Sequence, residues 1–191
     1  MSTPRIGIII SSTRDARIGK QAADYLIEIA SKREDLSFEV IDLRDYPMPF
    51  FNELGAVSLI PTKDPIGLKW QKKLTEFDGF VFVTAEYNGS IPGVLKNALD
   101  YAYEGWVRKP ATYFAYGSLG GARAVEQLRL ICLELHMAPL QRTAHLQGVD
   151  FFSVMEGKKQ FKDFPYLEPL VEDMLEHLAW WTKALKQARE A

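Results

Sequence analysis

Short runs of Ile, Val, Phe and Ala alternate along this chain with segments whose apolar residues recur every three or four positions. That alternation admits few folds, because strand-period and helix-period segments taken in turn pack best as a parallel sheet covered by helices. Arg5–Ile10 is almost continuous Ile, as suits a strand buried on both faces. Ile18, Ala22, Leu26, Ile29 and Ala30 then form one apolar helical face. Residues 38–43 read as a second strand, and Trp70, Leu74 and Phe77 mark a second helix. A third strand at 80–85 precedes a helix carrying Val94, Leu95, Ala98, Leu99 and Ala102, with Ser90 as its expected N-cap and Pro92 in its first turn. A strand at 111–116 leads to a helix with Val125, Leu128, Ile131, Cys132 and Leu135 on one face. A weaker strand at 139–146 and a helix at 166–186 complete five βα units, the whole of 1–191 reading as one domain. The connection holding Pro47, Pro49, Pro61 and Pro65 is longer than a compact domain ordinarily keeps, which predicts a functional or interface loop.

At 191 residues the chain is long enough to bury roughly 70% of its unfolded surface. A net charge of -2 supplies no basic field for a phosphate backbone, so nucleic acid is not expected as a partner. No segment has the length to span a bilayer or the pattern of a secretory signal, so no membrane partner and a cytoplasmic location are expected. The single cysteine, Cys132, excludes an internal disulfide and reads as buried between Ile131 and Leu133. His136, His145 and His177 lack ligand spacing, so no metal site is expected.

Ligands of doubly wound sheets bind beyond the carboxyl ends of the strands, where strand order reverses. The unusual loops of this sequence fall there. After strand one, SSTRDARIGK (11–20) offers hydroxyls, two arginines and backbone N–H groups at a helix start, which suits a phosphate. The plainer alternative is that Ser12 or Thr13 caps the helix while the arginines are solvated. Neither a GxGxxG fingerprint nor a P-loop is present, which favours a mononucleotide over a dinucleotide or a nucleoside triphosphate. After strand three, AEYNGSIPGVLKNALDY (85–101) places an aromatic, Tyr87, beside the turn-forming Asn88 and Gly89. After strand four, YGSLGGARA (116–124) contains three glycines that allow close approach of backbone to a ligand, and would equally form an ordinary turn.

Together these loops resemble the NADPH-dependent FMN reductase family, above all in EYNGSIPGVLKNALD (86–100). The resemblance implies a flavodoxin-like α/β fold, a doubly wound five-stranded parallel sheet of order 2-1-3-4-5. It implies FMN as cofactor and NADPH or NADH as co-substrate. It places Ser12, Arg14, Arg17, Ile18 and Gly19 around the FMN phosphate, Glu86, Tyr87, Asn88 and Gly89 beside the isoalloxazine ring, and Tyr116, Gly117, Gly120 and Gly121 along its pyrimidine side. Ser11 stands where the family usually has glycine, Ala85 where it often has proline, and Leu119 interrupts the glycines of the fourth loop. A homodimer or homotetramer is implied, with Tyr101, Tyr103 and Trp106 as an aromatic cluster suited either to the core or to anchoring a partner subunit. Arg108 and Lys109 are read as solvated charges, or else as a contact for the 2′-phosphate of NADPH.

The implied chemistry is hydride transfer from nicotinamide C4 to flavin N5, followed by reduction of a small-molecule acceptor, a free flavin or quinone, with no side chain acting as catalyst. The main alternative is a flavodoxin-type electron carrier. Such carriers are usually strongly acidic, and the charge of -2 argues against one.

Overall fold

The computed structural model of the protein describes residues 2–191. Five strands, β1 (Arg5–Ile10), β2 (Ser37–Asp42), β3 (Gly79–Ala85), β4 (Pro110–Gly117) and β5 (Ala138–Gln147), form one sheet in the order β2-β1-β3-β4-β5. Every neighbouring pair is parallel. The three central strands are buried almost throughout, which explains their near-continuous apolar sequences. The edge strands are only partly buried, so β5 carries a weaker apolar signal.

The helices are α1 (Gly19–Ala30), α2 (Pro65–Leu74), α3 (Gly93–Asp100), α4 (Ala122–Glu134), α5 (Gly148–Met155) and α6 (Leu167–Glu190). One core layer joins Ala22 and Leu26 of α1 and Val171, Leu175 and Leu178 of α6 to Ile8, Val81 and Phe114 of the sheet. The opposite layer joins Trp70 of α2, Leu95 and Leu99 of α3 and Leu128 of α4 to Phe80, Phe82 and Tyr113. Trp106, fully buried, makes edge contacts with Trp70 and Phe80 at centroid distances of 5.9 and 4.8 Å. Of the aromatic cluster expected between core and interface, Tyr101 and Trp106 therefore belong to the core, while Tyr103 is half-buried and pairs with His136.

Three local expectations are corrected. Phe77 lies in the turn after α2 rather than on the helix. α5 is an additional helix between β5 and α6. Ser90 does not cap α3: it closes a tight turn with Tyr87, and the N-cap is Pro92. The long connection after β2 is held onto α3 by Asn97, whose amide donates to the Pro49 carbonyl and accepts from the Phe51 N–H.

Candidate functional site

The chain runs from β1 outward to β2 and then crosses back to β3, so the sheet order reverses between β1 and β3. Three loops converge beyond that point. The Ser12 hydroxyl of the first loop meets the Tyr87 hydroxyl of the second at 2.6 Å, and the Glu86 N–H donates to the Tyr116 carbonyl at the third. The residues expected at the site from sequence lie in these loops or at the element ends beside them, Gly19 opening α1 and Tyr116 and Gly117 closing β4.

The first loop does not cap its helix with a hydroxyl: the N-cap of α1 is the buried Ile18, which makes no side-chain bond. Ser12 is buried and Arg14 is exposed, its guanidinium 5.6 Å over the Tyr87 ring. Arg17 turns inward instead. Its Nη1 donates to the Ser12 carbonyl (2.6 Å) and to Asp42 Oδ1 (2.7 Å), and Nη2 donates to Asp42 Oδ2. Burial opposes ionisation of Asp42, but hydrogen bonds from Arg17 and the Arg44 amide hold its carboxyl below the ordinary range.

In the second loop Asn88 (φ 51°) and Gly89 (φ 80°) occupy the left-handed region, and Tyr87 and Ser90 exchange backbone hydrogen bonds across them. This is the two-residue turn that an Asn-Gly pair favours. The Glu86 side chain is only 5% exposed. It accepts from Arg123 Nε (2.6 Å) and from the Arg123 N–H (3.1 Å), so it closes the first turn of α4 and ties the second loop to the third.

The third loop requires its glycines. Gly121 has φ 73°, and a Cβ there would lie 2.8 Å from the Ala115 Cβ and 3.1 Å from the Tyr116 N. His145 of β5 meets the Gly120 carbonyl at 2.7 Å through Nδ1. Tyr116, expected along the pyrimidine side of the flavin, sends its ring toward the start of α1, where a Cβ on Gly19 would come within 2.7 Å of its hydroxyl.

Asp42, Arg44, Arg123 and His145 were not anticipated from sequence. An arginine in the first turn of a helix opposes the helix dipole, and that mismatch at Arg123 is a readable sign of a carboxylate partner. Arg108 and Lys109 lie just before β4, at the end of the sheet remote from these loops. The expectation that Lys109 is solvated is corrected: it is 7% exposed and donates to the Leu74 carbonyl. Burial, assisted by nearby Arg189, pushes its ammonium down to about 8. Between that value and the ordinary 10.5 the unfolded chain holds the extra proton, so this group makes stability rise with pH across the window. Lys109→Met is expected to stabilise the protein at pH 7 by ~1–2 kcal/mol and to flatten that rise, as urea midpoints on both sides of the window will show.

The site also passes a test of fit to a flavin mononucleotide. The N–H groups of Thr13, Arg14 and Asp15 have no acceptor among the described residues. The buried Ser11 hydroxyl beside them has no partner. The glycines of the third loop hold a tight left-handed turn packed against Ala115, Tyr116 and Gln147. No helix among the described residues is long and apolar enough to cross a membrane, and no His, Cys, Asp and Glu cluster there suits a metal.

Fold and loops together define a doubly wound α/β protein with unpaired backbone N–H groups at the β1–β3 switch point, where sheets of this kind bind their ligands. Residues 4–149 match the NADPH-dependent FMN reductase family, and the chain belongs to that family. It is an oxidoreductase, FMN-dependent and using NAD(P)H. It is 34% identical over 182 residues to an NAD(P)H-dependent FMN reductase of Schizosaccharomyces pombe, covering 86% of this chain and 90% of that protein. It is 27% identical to a quinone reductase of Pseudomonas putida over 93% of this chain and 94% of that one. Among solved structures it superposes on FerB, a flavoenzyme NAD(P)H:(acceptor) oxidoreductase of Paracoccus denitrificans, with TM-score 0.64, 19% identity and coverage of 95% and 94%. That likeness shows the fold, including the expected strand order. Nothing in these comparisons favours an electron carrier.

Proposed function

We propose that this chain holds FMN with the phosphate in the 12–19 loop and the isoalloxazine ring between the 86–89 turn and the 117–121 loop, and that it reduces quinones. The observation that carries the reading is the row of unpaired N–H groups at residues 13–15, beside Arg14 and ahead of the α1 N-terminus, where helix dipole and amides act together on an anion. The kinship to reductases named for quinones supports the acceptor class.

Bound FMN supplies acceptance of a hydride from reduced nicotinamide and delivery of electrons to the acceptor. The protein supplies position. Arg14 and the loop amides fix the phosphate end, Ser12 and Tyr87 join the first two loops, and Glu86 with Arg123 holds the third at a set distance from them. Gly120 and Gly121, both in the left-handed region, let the main chain of the third loop turn tightly beside the ring. No side chain has to serve as nucleophile or general base. Arg17 supports the loop from behind through Asp42, so the phosphate contact falls to Arg14. We place the protein in the cytoplasm as a homo-oligomer, a dimer or tetramer.

Arg14→Ala is expected to weaken FMN binding ten- to a hundredfold, the worth of about 1.5–3 kcal/mol for a charged hydrogen bond. Equilibrium dialysis against FMN measures this. Unchanged affinity would remove Arg14 from the phosphate site.

A further inference from the structure

The phosphate loop is shaped from outside. Arg44, in the short 3-10 turn that follows β2, lays its guanidinium along the carbonyl side of residues 13–15: Nε and Nη2 donate to the Thr13 carbonyl at 3.1 and 3.0 Å, and Nη2 reaches the Arg14 carbonyl at 2.7 Å and Asp15 Oδ1 at 3.0 Å. Arg17 does the same for the Ser12 carbonyl at 2.6 Å. Three successive carbonyls are therefore drawn toward arginines.

No cis peptide occurs among the described residues, and in a planar trans peptide the N–H of each residue points opposite to the carbonyl of the residue before it. Drawing the carbonyls of residues 12, 13 and 14 outward turns the N–H groups of Thr13, Arg14 and Asp15 the other way. These are the amides that lack acceptors within the protein. Backbone N–H groups presented together in this manner make an anion-binding concavity, and holding them so before the ligand arrives removes the ordering cost from binding.

We propose that Arg44 is a positioning residue for phosphate recognition: it organises the amides of residues 13–15 by gripping their carbonyl side, and never touches the ligand. The inference rests on the assignment of the FMN phosphate to this loop. It separates two arginine roles in one site, Arg14 acting by charge at the phosphate and Arg44 acting through backbone geometry.

The test compares FMN with riboflavin, which has the same ring and ribityl chain but no phosphate, by quenching of flavin fluorescence on titration with purified protein. Three proteins are used: the unaltered chain, Arg44→Ala and Arg44→Lys, with thermal midpoints recorded for each. Arg44→Ala is expected to weaken FMN about tenfold or more and riboflavin less than about threefold, a span that corresponds to loss of one or two charged hydrogen bonds. Arg44→Lys keeps the charge but lacks the planar fork needed to span two carbonyls, so it is expected to remain well short of the unaltered protein. Full recovery by lysine would show that charge alone matters and overturn the proposal. Equal weakening of both flavins in Arg44→Ala would also overturn it, by assigning Arg44 to the general integrity of the fold. If the unaltered protein fails to prefer FMN over riboflavin, the phosphate assignment itself falls and the proposal with it. A preserved preference in Arg44→Ala refutes the role of Arg44 alone.

Discussion

Asp42→Ala is expected to destabilise the protein by about 3 kcal/mol and to cost at least tenfold in FMN affinity. The reason lies in what the substitution leaves behind. The Arg17 side chain is 6% exposed and Asp42 accepts from both of its terminal nitrogens, so removal of the carboxylate strands a buried guanidinium. An uncompensated buried charge is far more costly than the net worth of the pair. Arg17 also donates to the Ser12 carbonyl, so its rearrangement disturbs the phosphate loop directly. Asp42→Asn keeps an acceptor and should fall between the two. The same pair predicts a pH dependence. Because the folded carboxyl of Asp42 lies below the unfolded value of 3.8, its contribution is complete above that pH and is lost as pH falls through the lower folded value. Urea unfolding at pH 7 measures the first effect, and a loss below 1 kcal/mol would contradict it.

Gly121→Ala is expected to cost ~2–4 kcal/mol and to abolish tight flavin binding. Two penalties combine: the left-handed conformation at φ 73°, worth about 1–2 kcal/mol, and a Cβ placed 2.8 Å from the Ala115 Cβ and 3.1 Å from the Tyr116 N. Both of those atoms belong to β4, buried along its whole length, so neither has freedom to move. The loop has to shift instead, and it is the loop we propose borders the ring. Gly148→Ala is the matched control. Gly148 has φ 56° with nothing within 4 Å of its added Cβ, so it should show the conformational penalty alone. Equal losses at the two positions would refute the steric argument at Gly121.

The parts of this fold that were legible in sequence share a physical cause. Strands covered on both faces must be apolar throughout, and so β1, β3 and β4 were visible as uninterrupted runs. The edge strand β5 exposes Gln141 and Arg142 and was correspondingly faint. α5 escaped notice because Val149, Phe152 and Met155 are exposed, leaving no polar face to set a helical period.

The site was legible as three loops but not as a network. Asn88 and Gly89 were readable because a left-handed pair of residues has few possible occupants. The partners of Arg17, Glu86 and the residue 13–15 carbonyls were not, since Asp42, Arg123 and Arg44 come near only through the sheet order. Sequence alone gave Arg17 and Glu86 a ligand-facing role by resemblance, whereas each has a charged partner within the protein. Exposed arginine and buried arginine look alike in one dimension.

The central claim is that this chain holds FMN and reduces it with NAD(P)H. The most direct measurement is anaerobic stopped-flow of the FMN-loaded protein against NADPH and, separately, NADH, following the visible absorbance of the flavin. Rapid bleaching with at least one donor is the predicted result, and the faster donor identifies the preferred nicotinamide. Bound flavin that stays coloured with both would contradict the account and return the chain to the class of electron carriers.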